Sequence, residues 1–366
     1  MAHAILFNKR FTIAVSLLAL STALSGCLHP ELISDSAKMT QGTGTPVMAA
    51  VETAAVGTVN LDSADDPEVW VDPSDSNRVV IYGTDKKAGL YSYDIAGKVI
   101  DFLSVGPMNN VDLRNDALGL PVVVAASDRV GNGVRFFKLD PTTLKTSDWG
   151  FSPLKTSEAY GFCLGKTTAG DLVAIVIGQA GDVAQATVSV ADGKPALTET
   201  RRFAVGTQSE GCVVDDVTQK LYIAEENVGI WIYGLDPATG SQRTALITLP
   251  SDIIKADAEG LTLLRDGSKT FLIASSQGDS AFAVWRVDGE PAYQGRFSVF
   301  PGNGIDAVTG TDGVAALGGQ VGPYAKGIVV MQDDMDTEGE APSTTRSRQN
   351  FKIIDWKEIE AKLALK

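Results

Sequence analysis

Four blocks of the chain set an acid or a tyrosine directly before glycine: Tyr160-Gly161, Glu210-Gly211, Glu259-Gly260 and Asp312-Gly313. They stand 50, 49 and 53 residues apart, and the same step leads back to Asn110 and then, 44 residues earlier, to Asp66. Acids on an ordinary solvated face show no such period. Brought to one place they would repel, because two unit charges ~4 Å apart cost about 4 kcal/mol at an effective dielectric near 20. Either separation and water relieve that cost, or a cation sits among the acids. Spacing alone does not settle which of these residues meet. Oxygen donors without imidazole or thiolate select a hard cation, and a cage of many carboxylates favours calcium over magnesium.

The chain is poor in the usual catalytic groups. His3 and His29 are the only histidines among 366 residues. No Ser-His-Asp triad, histidine phosphatase or His-ligated zinc or iron site can therefore be built on its body. Acids outnumber bases 45 to 31, for a formal net charge of −14, and no basic stripe exists to neutralise phosphates. That argues against nucleic acid as a partner. Apolar residues at 44% and charged residues at 21% permit a buried core and exclude a disordered chain. Chemistry must then come from carboxylates, Lys, Arg, Tyr and a hard metal. Gly161 to Thr167 is one residue short of a P-loop, and Gly206 to Gly211 is no nucleophile elbow. The run Asp334 to Gly339 imitates the opening of an EF-hand loop, but Thr345 stands where the closing Glu belongs, so it reads as a solvated acidic loop.

What positions these residues is a repeat of about fifty residues, each an apolar run, a polar turn and a second apolar run. Val79 to Tyr82 leads through Thr84-Asp85-Lys86-Lys87, and Val122 to Val124 leads through Ser127-Asp128-Arg129. Leu172 to Ile177, Leu221 to Ile223, Phe271 to Ile273 and Ile328 to Val330 begin four further copies. Six copies predict an all-β fold, a six-bladed β-propeller of four-stranded antiparallel blades. Cys163 and Cys212, 49 apart, fall at equivalent positions of adjacent blades. They are either a disulfide between blades or two small buried residues. Ile353 to Lys366 reads as a strand passing into a short helix with Trp356, Ile359 and Leu363 on one face, closing the ring or capping it. Ahead of the repeat, Lys9 and Arg10 precede an apolar run that ends at Leu24-Ser25-Gly26-Cys27. This is the order of a lipoprotein signal over residues 1–26, with Cys27 as the lipidation site and residues 27–55 as a flexible tether. Residues 56–366 then form one propeller domain, and the net charge after removal of the signal is −16. The expected location is the cell envelope of a Gram-negative bacterium, on the outer membrane, with the lipid as the only membrane contact. A monomer is expected.

The blocks carry a resemblance. Asp65-Asp66-Pro67-Glu68-Val69-Trp70, Thr84 to Leu90, Asn109 to Arg114, Tyr160-Gly161-Phe162 and Ser209-Glu210-Gly211-Cys212 resemble the β-propeller phytase family of bacterial calcium-dependent 3-phytases. Leu221 to Glu226, Asp257 to Thr262, Ala274 to Gly278, Gln332-Asp333 and Asn350-Phe351-Lys352 continue the match, from about Ala55 to about Ile359. The resemblance implies hydrolysis of phytate, myo-inositol hexakisphosphate, by direct attack of a calcium-bound water or hydroxide without a phosphoenzyme. By this match, Lys86, Arg129 and Tyr160 bind phosphate, with Lys87 as a further candidate. Asp65, Glu210, Glu226, Asp257, Glu259 and Gln277 would hold calcium at the cleavage site. Asp66, Asp306, Asp312 and Asp333 would hold the remaining calcium ions. Glu226 or Glu210 would orient the attacking water. The chain departs from the family at Gln179, often a lysine there, and at Asp334, which replaces a glycine. Two alternatives are a calcium-dependent propeller lactonase or esterase, and a non-catalytic calcium-stabilised binding module of the envelope. Lys86 and Arg129 speak against the first, because a neutral ester has no use for two phosphate-directed cations.

Overall fold

The computed structural model describes Met1, residues 31–32 and residues 42–365. The expected signal segment and Cys27 lie outside the described residues. From residue 64 onward the strands sort into six antiparallel sheets, over residues 64–103, 108–153, 159–204, 209–248, 258–300 and 314–355. Their inner strands are Ala64–Asp72, Met108–Ala117, Ala159–Lys166, Ser209–Asp215, Ala258–Asp266 and Val314–Gly318. These touch in cyclic order, and the sixth returns to the first. The expected six-bladed propeller is the fold.

The apolar runs of the repeat are the second strands, and strand alternation explains why they are apolar throughout. Val79 and Ile81 pack between blades 1 and 6, whereas Val80 and Tyr82 pack between blades 1 and 2. Phe271 and Ile273 likewise face blade 6, while Leu272 and Ala274 face blade 4. A second strand thus feeds two inter-blade cores at once, so both of its faces must be apolar. Each fully buried Val, Leu or Ile contributes roughly 1.5–3 kcal/mol to this packing. Cys163 and Cys212 form a disulfide between the inner strands of blades 3 and 4, with Cα atoms 5.8 Å apart. The C-terminal helix, Trp356–Leu363, is capped by Asp355, which accepts from the Lys357 N–H at 2.9 Å, and buries Trp356 and Ile359 against blades 5 and 6.

The beginning of the domain corrects the expected boundary. Thr45–Met48 adds a parallel fifth strand to blade 5, and Val51–Glu52 supplies the outer strand of blade 6. Residues expected in a tether that ends at 55 therefore belong to the fold from about residue 42. Their register is hidden in the sequence because their partners, Phe297 to Phe300 and Lys352 to Ile353, lie about 250 to 300 positions away. A short pair also joins Glu31–Leu32 to Thr345–Arg346.

Candidate active site

The start of each inner strand and the end of its second strand are paired, Ala64 with Asp85, Met108 with Asp128, Ser209 with Glu225 and Ala258 with Ser276. Acids at the starts of the inner strands and cations after the second strands consequently share one end of the ring. A bulge follows the first residue of each of these inner strands and takes Asp65, Asn109, Glu210 and Glu259 out of the ladder. The glycines next to the acids have a packing reason. A Cβ on Gly161 would stand 2.0 Å from the Glu210 carbonyl oxygen, and one on Gly211 equally close to that of Glu259. Blade meets blade there backbone to backbone.

At this mouth Glu210, Glu226 and Glu259 bring carboxylate oxygens within 4.8 Å of one another, all three buried. At that separation each charged pair costs about 3–4 kcal/mol at an effective dielectric near 20. Burial first, and the charges of Asp65 and Asp312 second, push Glu210 well above the usual carboxylate range. Glu259 rises for the same first reason, joined by Glu210 and Glu226. Burial and the neighbouring Asp257 raise Glu226 to about 7. Lys86 lies among these acids, its Nζ 2.9 Å from Asp65 Oδ1, 3.0 Å from Asp312 Oδ2 and 2.9 Å from Asp62 Oδ1. Burial alone would lower the Lys86 pKa, but Asp312, Asp65 and Asp62 outweigh it and hold the ammonium charged. Gln277 Nε2 donates to Asp312 Oδ1. Across the mouth, Arg129 donates through Nη1 to Asn109 Oδ1 at 3.1 Å, and Asn109 Nδ2 donates to Glu210 Oε1 at 2.6 Å. The Arg129 guanidinium also lies over the Tyr160 ring, 5.4 Å from its centroid. The charge of Glu210, then burial, push the Tyr160 phenol far above its ordinary value, so it stays protonated and hydrogen-bonds Glu210.

Ten of the sequence candidates therefore meet: Asp65, Lys86, Arg129, Tyr160, Glu210, Glu226, Asp257, Glu259, Gln277 and Asp312. Lys87 is exposed on the same turn, and its N–H donates to Asp85 Oδ1 at 3.0 Å. Asp66 goes elsewhere. Its Oδ2 accepts from Val111 N–H at 3.0 Å, and the residue lines an axial cavity of about 430 Å³ together with Glu68 and Asp112. Asp306 belongs to a second acidic group with Glu52 and Asp336. Asp333 lies beside that group, its Oδ1 accepting from Thr309 N–H at 2.9 Å and its Oδ2 from Lys352 Nζ at 2.8 Å, and Asp306 likewise accepts from Lys352 Nζ and from Thr337 N–H. The run after it is not the solvated loop expected, since Asp334 and Asp336 are both buried. Asp334 pairs with Arg346 at 2.8 Å, and Asp336 accepts from Asn350 Nδ2 at 2.8 Å.

Sequence reasoning missed Asp62, Asn109 and Glu158 at the mouth, where Glu158 Oε1 accepts from Arg129 Nε at 2.6 Å, and Glu52 and Asp336 in the second group. Asp62 opens a run with three acids in five residues, and Asn109 doubles Asn110 at the bulge, so both carried a local signal. Glu52 carried none.

A family model described as Phytase matches residues 11–366. The 3-phytase of Bacillus subtilis (strain 168) is 35% identical over 328 residues, covering 86% of this chain and 84% of that protein. Among solved structures, a luciferin-regenerating enzyme aligns over 80% of this chain and 91% of its own, with TM-score 0.47 and 12% identity. A functionally unknown protein from Desulfotomaculum acetoxidans aligns over 62% of this chain and 70% of its own, with TM-score 0.44 and 15% identity. Neither structural likeness bears on the chemistry of the mouth.

Proposed function

The chain belongs to the phytase family, and from that premise we propose that its mouth hydrolyses phytate to lower inositol phosphates and inorganic phosphate. One observation carries the assignment of this chemistry to the mouth: two cations, Lys86 and Arg129, are built into a cluster of buried carboxylates. A neutral substrate needs neither. An acidic protein that binds a polyanion needs both, together with a counter-ion for its own acids.

The residues present fit calcium as that counter-ion. The donors are oxygens only, and Asp65 Oδ2, Glu226 Oε1 and Glu259 Oε2 are buried with no hydrogen-bond partner. Asp65, Glu210, Glu226, Asp257, Glu259, Gln277 and Asp312 would hold it. When bound, calcium supplies neutralisation of the phosphoryl charge and acidification of a water at the site. Lys86 and Arg129 bind and orient the phosphoryl oxygens, and Lys86 stabilises the departing alkoxide. Asn109 fixes the distance between the arginine and Glu210. Glu210 is tied by Asn109 and Tyr160, so Glu226, raised to about 7 by burial and Asp257, is the acid assigned to accept the proton of the attacking water. Such transfer rests on positioning and charge more than on covalent help.

The second group, Glu52, Asp306 and Asp336, is proposed as a structural calcium site, because Asn350 Oδ1 beside it is also buried without a partner. We further propose an exported, lipid-anchored monomer. The Cys163–Cys212 disulfide supports an oxidising compartment. Phosphate release from phytate is the test, in calcium and in chelator, for the native chain and for Lys86→Ala and Glu210→Ala. Release is expected only from the native chain with calcium, all three remaining folded. Near-native release by either variant would sink the assignment of the site.

A further inference from the structure

Lys86 carries three N–H bonds, and all three have carboxylate acceptors: Asp65, Asp312 and Asp62, at 2.9, 3.0 and 2.9 Å. In that state it has no donor for a phosphate oxygen. Arg129 is held less completely, with three of its five N–H bonds taken. Its Nε and Nη2 lie 2.6 and 2.5 Å from a single oxygen, Glu158 Oε1, and its Nη1 donates to Asn109.

The acceptors are of two kinds. The Asp65 and Asp312 side chains are 2% and 14% exposed and belong to the acid cluster, and Asn109 is fully buried. Asp62 and Glu158 stand at the solvent edge with side chains 36% and 33% exposed. Neither is among the acids assigned to calcium. Both sit on segments that run into an inner strand, Asp62 before Ala64–Asp72 and Glu158 before Ala159–Lys166. Each therefore occupies, on one of the two phosphate-directed cations, the outward place that a phosphate would take.

We propose that Asp62 and Glu158 are specificity-determining residues, internal stand-ins that substrate phosphates displace from Lys86 and compete with at Arg129. The proposal rests on the phytase reading and deepens it. Displacing one carboxylate exchanges one charge-assisted hydrogen bond for another, with little gain. An ester with a single phosphate displaces one stand-in and meets the negative charge of the other. A substrate with several phosphates displaces both, so no stand-in stays on a cation to repel the rest of its charge. The mouth thus selects for multiply phosphorylated rings and against single-phosphate esters.

Asp62→Asn, Glu158→Gln and the double variant test this in the full chain with calcium, on phytate and on glycerol phosphate. In parallel, inorganic phosphate and the non-hydrolysable inositol hexasulfate are titrated by calorimetry. A partly exposed ion pair is worth about five-fold in an equilibrium constant. Each single variant is therefore expected to raise kcat/KM for glycerol phosphate, and the affinity for inorganic phosphate, by about five-fold. Phytate turnover and inositol hexasulfate affinity are expected to change by less than about two-fold, so the selectivity ratio falls. Parallel losses on both substrates, with weaker inorganic phosphate binding, would make the two acids mere supports and overturn the proposal. So would an unchanged selectivity ratio in the double variant. Should the native chain release no phosphate from phytate, the phytase reading fails instead, and the inorganic phosphate titration still decides whether the acids are stand-ins.

Discussion

Single carboxylates at the mouth and in the second group store an unfavourable charge state. Burial, with repulsion behind it, raises Glu226 and Asp336 to about 7 and Asp312 to about 8. An acid whose folded pKa is raised holds its proton more tightly folded than unfolded. Its contribution to stability is full below the unfolded value of about 4 and is lost as pH rises through the folded value. In chelator, the melting temperature is expected to fall between about pH 5 and pH 8. Calcium added at pH 8 should restore it and release protons. A chelated protein that becomes more stable across that interval would contradict this account of the acids. The residues that carry these charges were legible in the sequence wherever the repeat marked them, as at Glu210, Glu259 and Asp312. Asp336 was misread because a short acidic run looks solvated when its partners are absent. Nothing near Asp336 in sequence announces Glu52, which meets it from 284 positions away.

In blades 4 and 5, the inner strand does two jobs with one irregularity. Its bulge turns an acid toward the mouth, and the glycine beside that acid lets the next blade approach. Gly211→Ala places a methyl carbon 2.0 Å from the Glu259 carbonyl oxygen, a rigid backbone atom. Overpacking of this kind costs about 1–3 kcal/mol. The variant is expected to lose about that much stability in urea denaturation and to lose turnover as Glu210 and Glu259 move apart. An Ala variant as stable and active as the native chain would remove the close approach as the reason for glycine. The repeat predicted the second strands well, since a run buried on both faces is apolar at every position. It said less about the mouth, because a bulge changes register by one residue and leaves no mark in composition. Only the paired ladders show that strand starts and second-strand ends share one rim.

For the whole molecule, the disulfide and the sixth blade are two of the long-range ties. Cys163–Cys212 closes a separation of 49 residues between two inner strands that also carry Tyr160 and Glu210. By loop-closure entropy, replacing both cysteines with serine is expected to cost about 2–4 kcal/mol, read as a lower melting temperature in oxidising buffer. An unchanged melting temperature would show that the ring holds these blades without the bond. The sequence limited the cysteines to two readings and could not choose, since the choice depends on a distance across blades.

The sixth blade takes its outer strand, Val51–Glu52, from near one end of the chain and its other strands from residues 314–355 near the other. Val51–Glu52, which emerges early in synthesis, must wait for the last strand before it has anything to pair with. A chain interrupted anywhere before residue 355 therefore cannot hide its seam and displays an unpaired strand edge beside an unfilled inter-blade core. Ring closure acts as a check on synthesis: only a chain made through residue 355 withdraws that edge from proteases and from other chains.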